Sequence, residues 1–70
     1  MKSYTAEDTF YIGDVGRIFI CRILYQDMPD INEVVLVNDG RYEIVAVERL
    51  MKLIYPPVPS ENVALVVKDV

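Results

Sequence analysis

Histidine is missing from this chain altogether, and cysteine occurs once, at Cys21. Without histidine, the side chain best placed to shuttle protons near neutral pH is absent, so no serine or cysteine nucleophile can be activated by one. A lone cysteine cannot close an internal disulfide, and with no histidine beside it no zinc-type ligand set exists. Cys21 therefore reads as a small buried apolar side chain. No apolar run approaches the roughly 18 residues that span a bilayer. The opening MKSYTAEDTF also lacks the apolar stretch of a secretory signal, so a cytoplasmic protein with no membrane partner is expected. Internal repeats and low-complexity segments are absent too.

Positive charge is in short supply: 7 Lys and Arg stand against 11 Asp and Glu, for a net charge of -4. That sign is wrong for a protein that must neutralise many phosphates, which disfavours RNA as a partner. Arg17, Arg22, Arg41, Arg49, Lys52 and Lys68 could gather into a local basic patch on one face. Two short stretches resemble ligand loops without their chemistry. Gly13-Asp14-Val15-Gly16 has neither the lysine nor the following helix of a phosphate loop and reads as a turn. Asp27-Met28-Pro29-Asp30-Ile31-Asn32-Glu33 lacks the alternation that would gather its oxygens around one calcium ion, and reads as a solvated loop. No pair of carboxylates is singled out for acid-base work. The expectation is a protein that is not an enzyme, with no catalytic residue, no metal and no cofactor.

What the chain does have is apolar content. At 53% hydrophobic and 26% charged, its 70 residues lie well inside the ordered regime. They make one domain, 1–70, that hides only about 60% of the surface of its unfolded chain, so every element must serve a single small core. Five β-rich runs are separated by turn residues: Thr9 to Ile12, Arg17 to Tyr25, Glu33 to Val37, Tyr42 to Arg49, and Val63 to Lys68. The third and fourth flank Asn38-Asp39-Gly40-Arg41, where Asp-Gly predicts a two-residue hairpin turn. With Asp39 and Gly40 as its centre, Val37 faces Tyr42 and Val35 faces Ile44, and one face carries Val35, Val37, Tyr42, Ile44 and Ala46. The other face still carries Val34, Leu36, Val45 and Val47, and the run Ile18-Phe19-Ile20-Cys21 is apolar on both sides as well. A small antiparallel sheet usually leaves one side to water. Either a loop such as Met51 to Val58 covers the second face, or another chain does. Tyr55-Pro56-Pro57-Val58-Pro59 predicts an extended, unpaired corner before the last strand, read as a stiff cross-over rather than a polyproline ligand.

Two stretches near the end carry a resemblance. Val47-Glu48-Arg49-Leu50-Met51-Lys52-Leu53 and, after a loop, Glu61-Asn62-Val63-Ala64-Leu65-Val66-Val67-Lys68-Asp69-Val70 are similar to the close of the second domain of elongation factor Tu and related translational GTPases. Gly16-Arg17-Ile18-Phe19-Ile20-Cys21-Arg22-Ile23 and Ile31-Asn32-Glu33-Val34-Val35-Leu36-Val37 resemble two earlier strands of that domain, so the likeness runs over roughly residues 10 to 70. Cys21, Asn32 and Ser60 stand where the family has glycine, and Met51 where it has arginine. The resemblance implies an all-β fold, a small closed antiparallel β-barrel of five to seven strands whose last strand closes it. It also implies a site for the 3′ end of an aminoacylated RNA, with Glu48 and Asn62 reading the terminal adenosine and Leu50 and Val63 in apolar contact with the base. Two functions are expected in order: an interaction module that binds a protein partner or self-associates, and an RNA-end binding module.

Overall fold

A computed structural model describes residues 1–49 and 60–70. The expected Tyr55 to Pro59 corner, the covering loop from Met51 to Val58 and Leu50 all lie outside the described residues.

The described chain is all-β. Six strands, β1 Ser3–Tyr4, β2 Ala6–Ile12, β3 Gly16–Leu24, β4 Val34–Val37, β5 Gly40–Arg49 and β6 Ser60–Asp69, form one sheet in the order β1-β4-β5-β6-β3-β2. Neighbours are antiparallel except β1 and β4. A 3-10 turn, Tyr25–Asp27, follows β3. Alternation decides what is buried. Phe19, Cys21 and Ile23 on β3, Val35 and Val37 on β4, Ile44 on β5, and Val63, Leu65 and Val67 on β6 make one core with Tyr4 of β1. The Phe19 ring meets Tyr42 edge-on, with centroids 5.0 Å apart, the geometry that aromatic quadrupoles favour.

β1 is missing from the five strands that the sequence predicts. Two residues give no periodicity, and β1 exists because Leu36 donates its N–H to the Lys2 carbonyl (2.9 Å) and Asn38 donates to that of Tyr4 (3.1 Å). Only Thr5 separates β1 from β2, yet β1 pairs with β4 and β2 with β3, at opposite ends of the strand order. Two peptide units span at most about 7.6 Å. The sheet must therefore curl until its two ends meet at Thr5, and the core fills the inside of the curl. Among the described residues no ladder joins β1 to β2, because they lie end to end rather than side by side.

The hairpin differs from its expected register. Val37 pairs with Gly40 and Val35 with Tyr42, so Asn38 and Asp39 are the central residues. Both have positive φ, 50° and 71°, as a type I′ turn demands. Moving the turn by one residue shifts each partner by two, and so Val35, Val37, Tyr42 and Ile44 keep a common face. Gly40 is glycine for room, not for φ: a Cβ there would sit 2.8 Å from the Tyr42 ring. A bulge corrects the rest of that face. Ile44 opposes Val67 while Ala46 opposes Val66, leaving Val45 as an extra residue that flips the alternation. Val47, not Ala46, packs against the core.

Candidate interaction surface

The strand register carries side chains outward as well as inward. Residues directly opposite across a ladder share a face. Phe10 opposes Ile18, Ile18 opposes Val66, and Val66 opposes Ala46, so four strands set one unbroken apolar row on the outer face of the curl. The neighbouring row runs Asp8, Ile20, Ala64, Glu48: apolar in the middle, with a carboxylate at each end. No second layer of described strands lies on this face. Phe10 is 48% exposed and the bulge residue Val45 at the far side 46%, while Ile18, Ala46 and Val66 are half-buried and Ala64 is buried.

Beyond Phe10 the surface continues along β2 to the turn. Six of the seven β2 residues, Glu7 through Ile12, are exposed. Tyr11, Ile12 and Val15 leave large apolar areas in water. The turn closes through Val15 N–H donating to the Ile12 carbonyl (2.9 Å), and Gly16 accepts the positive φ of 111° that returns the chain to β3. Gly13-Asp14-Val15-Gly16 is thus the turn that its sequence indicates.

The residues expected to read an RNA end are divided by the same alternation. Glu48 is exposed on β5 and opposes Ala64. Asn62 lies two residues from Ala64, on the same outer face, and opposes Arg22 of β3. Diagonal neighbours of this kind stand roughly 7–8 Å apart. The Asn62 Oδ1 is buried and has no hydrogen-bond partner among the described residues. Val63 points the other way, fully enclosed in the core, and has no surface to offer a base.

A second polar group lies at the end of the inner face. Glu61 has the parity of Val63, Leu65 and Val67 and is only 7% exposed. One carboxylate oxygen accepts a hydrogen bond from Arg49 Nε, which raises the arginine's already high pKa, and the guanidinium lies 5.4 Å from the Tyr25 ring centroid. The other oxygen has no partner among the described residues. Within the motif quoted for the last strand, Glu61 carried no expected role, although counting back by twos from Leu65 places it inside. Near the bend at Thr5, Ser3, Tyr4, Glu7, Arg22 and Asp27 line an open cleft of about 380 Å³. Its Arg22 is already loosely matched by Glu7 at 3.9 Å.

Among the described residues no cluster of three or more Cys, Asp or Glu side chains could hold a metal ion. No described helix is long and apolar enough to cross a membrane. Compared with protein-family models, curated proteins and solved structures, the chain has no match.

Proposed function

We propose that this protein is a non-enzymatic interaction module that presents its outer β face to a protein partner. The observation that carries this reading is the row Phe10, Ile18, Val66 and Ala46. A strand that feeds one small core has no need of apolar side chains on its other face, and such a face is costly in water. The net charge of -4 favours a protein over a nucleic acid as its occupant.

A photo-reactive residue placed at Phe10 tests this in the native cell, with Gln26, exposed on the 3-10 turn and off the sheet, as the control position. Protein adducts of discrete mass from position 10 and none from position 26 are the expected result. Adducts equal at the two positions, or none at either, would end the reading.

A second reading keeps the likeness to the translation-factor second domain. It takes the curled sheet as that family's barrel and the shared face of Glu48 and Asn62 as the remnant of an RNA-end site. The Asn62 Oδ1, buried and without a donor among the described residues, favours it, since a buried acceptor left unpaired is expensive. An aminoacyl-adenosine mimic at millimolar concentration should then shift the amide resonances around both residues, and unmoved resonances would remove it.

A further inference from the structure

We infer that β2 is an edge for strand addition, and that the segment it takes is an extended peptide with an apolar centre and Lys or Arg at both ends. The inference rests on the interaction reading and gives its partner a chemistry. Among the described residues β2 is a terminal strand of the sheet, hydrogen-bonded to β3 on one side only. Natural edges are blunted by proline, by lysine or by bulges. The β2 sequence AEDTFYI contains no proline and no basic residue. Its one irregularity lies between Ala6 and Asp8, leaving Asp8 to Ile12 in regular register with β3. These five residues are a platform of roughly 17 Å at the usual rise of a strand.

The backbone direction is fixed by one contact. The Thr9 N–H donates to its neighbour's Asp8 Oδ1 (2.9 Å) rather than into the ladder with β3. The N–H of Thr9 therefore faces the free edge, and by the two-residue period that of Tyr11 does too. An added strand would take both donors and release the Asp8 carboxylate to a cation.

Charge selects the occupant. Glu7 and Asp8 stand at one end of the platform and Asp14 in the turn at the other, with Phe10 and Ile12 between them on the outer face. The nearby cations are turned elsewhere: Arg22 is matched with Glu7 at 3.9 Å, and Arg17 opposes Tyr11 on the inner face. A second copy is the poorer fit. Antiparallel pairing about Phe10 would bring the Glu7 end against the Asp14 turn of the partner copy, and parallel pairing would set Asp8 on Asp8, in a chain already at -4. A basic-flanked peptide meets opposite charge at both ends, and its alternate apolar side chains extend the Phe10 row by a fifth strand.

The probe is the capped peptide Lys-Lys-Val-Thr-Val-Thr-Lys-Lys, titrated into the labelled full chain and followed by amide NMR. Shifts confined to β2 and the 13–16 turn are expected, with affinity falling at least tenfold when glutamates replace the lysines, and again in the Glu7→Gln, Asp8→Asn, Asp14→Asn variant. Tyr11→Pro removes a donor that the fold does not use and should abolish binding while its own spectrum stays dispersed. Equal binding of the lysine and glutamate peptides, or full binding by Tyr11→Pro, would overturn the inference. So would self-association through β2 with no response to the peptide. If the peptide leaves β2 unmoved while position 10 still cross-links to a protein, the inference falls and the interaction reading survives.

Discussion

Cys21 shows how far one residue's environment decides its chemistry. Its side chain is fully buried, and burial, with a smaller contribution from the Glu7 charge, pushes the thiol up to about 11. Only a thiolate reacts. Native protein at pH 8 should therefore be silent to maleimide and should label at Cys21 in concentrated urea; labelling at equal rates in both would contradict the burial. The Arg49 and Glu61 pair is the second such case, because Glu61 is buried and its partner is half exposed. Removing one member of such a pair leaves a buried charge uncompensated, whereas replacing both can be close to neutral. Arg49→Met should lower the urea midpoint more than the double variant Arg49→Met, Glu61→Met, and the reverse order would show that the pair is mere decoration. The burial of Cys21 was legible from its residue type alone. The burial of Glu61 was legible only from parity, and a glutamate on the inner face defies the habit of reading charge as outward. Val63 failed as a ligand contact for the same reason: neighbours on a strand cannot share a face.

At the scale of elements, the turn between β4 and β5 joins more than two strands. Asn38 holds a positive φ, donates its N–H to the Tyr4 carbonyl, and accepts the Ala6 N–H on Oδ1 (2.9 Å). It ties the hairpin to both halves of the strand that bends at Thr5. Asn38→Gly keeps the backbone freedom and loses the side-chain bond, at a cost of about 1 kcal/mol. Asn38→Ala adds a residue in the left-handed region and should cost about 2–3 kcal/mol in a urea titration. Equal costs would mean that φ carries no weight there. Turn residues and β-branched runs made five of the six strands and the hairpin readable in the sequence. The register was not readable, since Asn-Asp and Asp-Gly are both acceptable turn centres and only the Tyr42 ring above Gly40 separates them. The bulge was hidden for a different reason: Ile44-Val45-Ala46-Val47 is apolar throughout, and an unbroken apolar run gives no sign of which residue is extra.

Over the whole molecule, the ionisable groups set the limits of pH. Burial, with the charges of Glu33, Asp27 and Asp30 beside it, pushes the Tyr4 hydroxyl up from 10.0 to about 12, and Cys21 rises from 9.0 to about 11. Both groups are neutral when protonated, so raised values mean that the folded state holds its protons longer than the unfolded state does. Their contribution is complete below about pH 9 and is lost as pH climbs toward 12. Glu33 runs in the opposite direction. The Asp30 N–H hydrogen bond, with help from Lys2, holds its carboxyl below the usual range. Its contribution is present above pH 4.5, the ordinary glutamate value, and is lost as acid is added. The urea midpoint should hold steady through neutrality and fall as pH rises from about 9 toward 12; an unchanged midpoint over that window would contradict the buried Tyr4 and Cys21. If the outer row serves a partner and not the fold, one comparison decides it: urea unfolding of Phe10→Asp beside Phe19→Asp. Phe10→Asp should stay within about 0.5 kcal/mol of the parent chain, as surface changes do. Phe19→Asp, which buries a carboxylate in the core, should lose several kcal/mol or fail to fold. Equal losses would make the Phe10 row part of the protein's own core and remove the surface on which the proposed function depends.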